Sequence, residues 1–240
     1  MATSGEIAEI LSQELGMTMG AVQFYAQAMR NAQMITKGGR GLAAAHLSVV
    51  DCSNWILALC SSETATAAPA EVGLTRDAIL DSKTSVMSKD VTRGLKVAKA
   101  TTAGEAVDLL IWDMIDGRFQ RWQQQEFASP ADTSDSWHIG LLKPTAVVEF
   151  IVSGQEVSLL FSKPTASGKV RTSSMHFSCV HPMFKMRMRT VTDGKASALL
   201  SLTRINRVGP RLFERIADAL RKTDEEVIAS FAEGAPPWKG

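Results

Sequence analysis

Residues 6–41 read EIAEILSQELGMTMGAVQFYAQAMRNAQMITKGGRG, and this stretch decides how the front of the chain folds. Ile7, Ile10, Leu11 and Leu15 recur at helical spacing. They follow Thr3-Ser4-Gly5-Glu6, a capping box in which Thr3 accepts from a first-turn amide while Glu6 reaches back. Gly16 suits a left-handed stop, and Thr18 caps a second helix whose inward stripe is Val22, Ala26, Met29 and Gln33 or Met34. Thr18, Met19, Gln23, Gln27 and Arg30 are then expected to face outward. The three glycines of Ile35-Thr36-Lys37-Gly38-Gly39-Arg40-Gly41 permit a tight turn between short strands. Ser48-Val49-Val50-Asp51 is a second capping box, opening a third helix with Trp55, Ile56, Leu59 and Cys60 on one side.

Two helices joined by a short turn form either an ordinary αα-hairpin or a helix-turn-helix. The latter works because its second helix fits the major groove and aims exposed side chains at base edges. Gln23 and Gln27 suit adenine's paired acceptor and donor, and Arg30 suits phosphate or guanine. A Gly-rich turn carrying Lys37 and Arg40 is what a wing needs to lie beside phosphates. The order helix, turn, helix, basic hairpin, helix favours DNA binding over a hairpin with a surface loop.

The stretch LGMTMGAVQFYAQAMRNAQMITKGGRG resembles the recognition helix and wing of winged helix-turn-helix proteins. Its continuation LAAAHLSVVDCSNWILAL resembles small bacterial and prophage regulators that carry such a domain. The resemblance covers about the first 60 residues, a quarter of the chain. It implies that Gln23, Gln27 and Arg30 lie on the groove-reading helix and that Lys37 and Arg40 lie on the wing.

Further along, the small, polar, Pro-containing residues 61–73 read as a linker, and Thr75 to Met87 as moderately helical. Thr102-Ala103-Gly104-Glu105 opens a stronger helix with Val107, Leu110, Ile111, Met114 and Ile115 inward and Gly117 at its stop. After a turn-rich break at 128–136 the period changes to two. Strands are expected at Trp137–Leu142, Ala146–Val152, Val157–Phe161, Val170–Ser178, Lys185–Thr192 and Ala198–Leu202, with hairpin turns at Ser153-Gly154 and Asp193-Gly194. Pro210 starts a helix carrying Leu212, Phe213, Ile216 and Leu220, and Thr223 caps a last short one.

The net charge of +1 over 240 residues conceals a division. Residues 1–162 carry a net −6, residues 163–222 a net +10, and the last 18 a net −3. Such an excess is an electrostatic footprint for a polyanion, or a basic surface that pairs with acidic surface elsewhere in the chain. Within the block, Lys185-Met186-Arg187-Met188-Arg189 read as a strand puts three cations on one face. Lys169 and Arg171 extend that row from a neighbouring strand, for phosphate, an acidic protein surface, or plain solvent.

Catalytic readings find little support. His176, Cys179 and His181 lack a fourth metal donor, and His176 falls on the other strand face. Asp113 and Asp116 are paired acids on a helix face expected to be solvated, without a partner base. Cys52, Cys60 and Cys179 form no even framework, which points to a reducing compartment, with Cys52 and Cys60 as buried small hydrophobes. No apolar run is long enough for a bilayer, and the first residues carry acid where a signal peptide needs base.

The sequence therefore predicts an α+β protein in three parts. A winged helix-turn-helix occupies residues 1–65, a helical connector 66–130, and an antiparallel β-sheet domain with a basic surface and C-terminal helices 131–240. The function expected is a non-enzymatic, cytoplasmic, sequence-dependent DNA-binding regulator, needing no cofactor or metal. It would bind double-stranded DNA as a homodimer, because one short helix reads a half-site. The C-terminal part would dimerise, contact RNA polymerase or another protein, or add phosphate contacts. The alternatives are a phage DNA-packaging or assembly protein, or an inhibitor that meets an acidic partner through residues 163–222.

Overall fold

The computed structural model describes residues 2–37, 46–89, 91–125, 145–151, 156–164, 170–178 and 205–222. These residues form an α+β fold. Its helices are α1 (Ser4–Leu15), α2 (Met19–Asn31), α3 (Val49–Ser61), α4 (Ala68–Arg76), α5 (Ala103–Ile115), α6 (Arg118–Gln125) and α7 (Pro210–Arg221). Its strands are β1 (Ile79–Leu80), β2 (Thr145–Ile151), β3 (Glu156–Pro164), β4 (Val170–Ser178) and β5 (Ile205–Val208).

The helix ends follow local chemistry. Thr3 Oγ1 accepts from the Glu6 amide at 3.3 Å, Thr18 Oγ1 from the Ala21 amide at 3.3 Å, and Gly16 closes α1 at φ 64°. At α3 the capping box is reciprocal: the Asp51 amide donates to Ser48 Oγ at 3.1 Å and the Ser48 amide to Asp51 Oδ2 at 2.9 Å. Gly117 ends the α5 turn at φ 67°, a conformation that costs a side-chain-free residue little.

Helix α3 is the axis of the fold. Every residue in it except Val50 is buried, so the one-sided stripe expected of Trp55, Ile56, Leu59 and Cys60 is apolar packing all round. It packs against α2, α4, α5 and β2. Because such a helix also buries polar groups, each needs a partner. Trp55 Nε1 donates to the Val22 carbonyl at 3.2 Å, and Asn54 Nδ2 to the Met34 carbonyl at 2.6 Å. Arg76 reaches Asn54 Oδ1 at 3.0 Å and Asp108 at 2.7 Å, tying α4 to α3 and α5.

The sheet has the order β1-β4-β3-β2-β5, every neighbouring pair antiparallel. Alternation sends Val157, Leu159 and Phe161 of β3 and Ser173, Met175 and Phe177 of β4 into the core. Trp122 of α6 meets Phe161 edge-on at a centroid distance of 6.2 Å, which seats the helices on that face. Asn206 of β5 donates to the Cys60 carbonyl at 2.6 Å. Helix α7, with Leu212, Phe213, Ile216 and Ala217 inward, packs on α1 and α5.

Several expectations need correction. The linker expected at 61–73 is packed chain: Ser61, Ser62, Ala65, Ala68 and Val72 are buried, and α4 starts inside it with Pro69 in its first turn. Small residues there let α4 lie close against α3, a tertiary effect that composition reads as flexibility. The helix expected from Thr75 to Met87 ends at Arg76. The chain then forms β1 on the edge of β4, a turn in which Asp81 accepts from the Lys83 amide, and a bridge from Val86 to Ser174. The 66–130 segment is thus not wholly helical, and residues on both sides of positions 65 and 130 contribute to one continuous core. Strand β5 was not expected. The strands anticipated at 137–142, 185–192 and 198–202 and the last helix lie outside the described residues. No helix among the described residues is long and apolar enough to cross a membrane.

Candidate functional site

Among the described residues, the outer face of α2 is open to solvent. Val22, Ala26 and Met29 are buried against α1 and α3, which fixes the opposite arc outward. Thr18, Met19, Gly20, Gln23, Phe24, Gln27 and Asn31 are exposed. Gln27 Nε2 donates to Asn31 Oδ1 at 2.9 Å, one turn along. A Cβ added at Gly20 would meet nothing within 4 Å, so the first turn of this face is open.

Arg30 does not join that face. Its guanidinium donates to Ser4 Oγ and lies 5.9 Å from the centroid of the Trp55 ring. A planar cation gains both a hydroxyl acceptor and an aromatic face there. Arg30 therefore joins α2 to α1 and α3. Phe24 is the outer residue that sequence reasoning passed over: it is 65% exposed. Its position one residue beyond Gln23, outside the buried stripe, was the available signal.

Asp51 joins the chain on the two sides of residues 38–45, at Thr36 and Ser48. Asp51 accepts from the Thr36 amide at 2.8 Å, Thr36 Oγ1 at 3.0 Å, the Ser48 amide at 2.9 Å and Ser48 Oγ at 2.8 Å. The Leu47 amide donates to the Ala2 carbonyl at 3.1 Å, and Thr3 bridges His46. Lys37 is exposed just past this clasp, while Arg40 lies outside the described residues.

Of the second basic surface, Arg171 lies in β4 at the register position opposite Lys163 of β3. Lys169, Lys185, Arg187 and Arg189 lie outside the described residues. The described basic residues of α7 have found acids inside the chain. Arg215 Nη1 meets Glu14 Oε1 at 2.8 Å, Arg211 Nε meets the same oxygen at 3.2 Å, and Lys222 pairs with Glu6. Arg221 caps the end of α5 through the Met114 and Ile115 carbonyls.

The acidic pair on α5 is not a solvated face. Asp113 is buried and accepts the Lys96 and Val97 amides at 2.9 Å each, which fastens that segment to α5. Burial pushes its carboxyl above the ordinary range, against the lowering effect of those amides. Asp116 is lowered instead, first by the Lys96 ammonium at 2.7 Å and then by Arg118. His176 Nδ1 lies 2.7 Å from Ser158 Oγ on the sheet, and Cys179 and His181 lie outside the described residues. Among the described residues, no three His, Cys, Asp or Glu side chains are grouped to hold a metal ion.

Comparison with known protein families, with curated proteins and with solved structures finds no match to this chain.

Proposed function

We propose that this chain is a sequence-dependent DNA-binding protein, a transcriptional regulator acting in the cytoplasm, with α2 as its groove-reading helix. The observation that carries the reading is the outer face of α2. It presents Gln23 and Gln27 one turn apart, on a helix whose other side is fixed by Val22, Ala26 and Met29. The Asp51 clasp adds support, because it fixes Thr36, one residue before the exposed Lys37 that this reading assigns to phosphate together with Arg40. One such helix spans a half-site, so the reading includes a homodimer on double-stranded DNA. The C-terminal part would then serve dimerisation or contact with RNA polymerase.

The test is a mobility shift with mixed-sequence duplex DNA at two salt concentrations. Binding that weakens with salt and falls on replacing Gln23 and Gln27 together by Ala supports the reading. Binding that the double replacement leaves unchanged removes α2 from the interface, and no binding at low salt removes DNA altogether.

A second reading is favoured by the internal pairing of Arg211, Arg215 and Lys222 with Glu14 and Glu6. That pairing withdraws cations from phosphate and suits a protein-interaction module, with the exposed Phe24 as its anchor.

A further inference from the structure

From the composition of the α2 face we infer that the half-site it reads is built of A·T pairs, with Phe24 as a specificity-determining residue. The inference rests on the DNA-binding reading above and adds which bases are selected and why.

Guanine shows two acceptors, O6 and N7, in the major groove, and needs two donors from one side chain, the part played by Arg or Lys. Arg30 is the only cation on α2, and it is spent on Ser4 and the Trp55 ring. The helix therefore brings no guanine reader to the groove. What it does bring is amides. Adenine pairs an acceptor, N7, with a donor, N6–H, which one Gln amide meets with its N–H and its carbonyl oxygen. Gln27 gives one N–H to Asn31 and keeps a second N–H and its oxygen, the pair that adenine requires, while Gln23 stands exposed a turn earlier.

The apolar members of the face complete the match. Met19 is 37% exposed and Phe24 is 65% exposed, and they flank the amides on either side of the open Gly20 position. An apolar side chain beside an amide that reads adenine meets the thymine methyl of the same or the next pair. The open space at Gly20 lets the base edges come close without a side chain between them. Hydrogen-bond pattern and apolar placement thus point to the same base pair.

The test is selection of bound fragments from random duplex DNA with the full chain. Affinity is then measured for the selected site and for the same site with thymine replaced by uracil. An A·T half-site is expected, with about fourfold weaker binding on loss of the methyl groups. Phe24→Ala is expected to reduce the difference between the thymine and uracil sites, and Met19→Ala together with Phe24→Ala to abolish it. Gln23→Ala or Gln27→Ala is expected to lower discrimination for adenine about tenfold. A selected site rich in G·C, or equal affinity for the thymine and uracil sites, overturns the inference while leaving DNA binding in place. No selection of DNA, together with a change of oligomeric state in Phe24→Ala, overturns both and makes this face a contact between copies of the chain.

Discussion

The guanidinium of Arg30 lies 5.9 Å from the centroid of the Trp55 ring, joining the surface helix α2 to the buried helix α3. Trp55 in turn donates its indole N–H to the Val22 carbonyl of α2 at 3.2 Å, so the two helices are fastened in both directions. Replacing Arg30 by Ala removes the ring contact, the bond to Ser4 and the packing of its aliphatic stem. Urea unfolding should show a loss of about 1–2 kcal/mol. On the DNA-binding proposal, the same variant should leave the selected site unchanged, since Arg30 is not on the outer face.

Asp113 and Asp116, three residues apart on one helix end, should respond to acid with opposite signs. Asp113 is raised on folding, so between its unfolded and folded values the folded state binds the extra proton, and stability falls as pH rises through that window. Measured by urea unfolding, the advantage of the wild type over Asp113→Asn should be larger near pH ~4 than near pH ~6. Asp116 is lowered, so its contribution is present above the ordinary carboxylate range and is lost as pH falls through its folded value. The advantage over Asp116→Asn should therefore shrink on acidification. A parallel trend for the two variants would show that the Asp113 assignment is wrong.

Glu14 offers one oxygen to two arginines of α7 in unequal settings. Arg215 is 33% exposed and Arg211 is 78% exposed, so solvent screens the second pair far more. A double-mutant cycle of Glu14→Ala with Arg215→Ala should give a coupling of about 0.5–1 kcal/mol that declines in high salt. The cycle with Arg211→Ala should give about zero. Equal couplings would contradict the geometry.

Cys52 and Cys60 are buried in α3, and the Cys52 thiol is pushed far above its ordinary value by burial and then by Asp51. The thiolate is the reactive species, so neither should react with a thiol reagent in the native protein. In a Cys179→Ser variant, titration should detect no thiol before unfolding and both in concentrated guanidinium. Labelling of the folded variant would show that α3 opens.

The short-range physics of this chain is legible in its sequence. Thr3, Thr18, Ser48 and Thr102 cap helices, Gly16 and Gly117 stop them, and Val157, Leu159 and Phe161 alternate into a core, because each signal acts within a turn or two residues. The solvent-facing positions of Gln23 and Gln27 follow from the same periodicity. Residues whose partners are distant were misread. Arg30 has helical neighbours that leave its direction open, and Ser4 and Trp55, 26 and 25 positions away, settle it. Asp113 looks like a surface acid until the Lys96 and Val97 amides arrive. The weak local pattern of Ile79 and Leu80 becomes strand only because β4 supplies an edge.

Charge shows the same division. The sequence by itself determined that residues 163–222 carry a net +10, since charge is a property of composition. Only the tertiary structure decided which of the described cations in that block meet an acid. Packing α7 against α1 brings Arg211, Arg215 and Lys222 onto Glu14 and Glu6, more than 190 residues away in the chain. Ion pairing depends on distance in space, and the fold alone sets that distance.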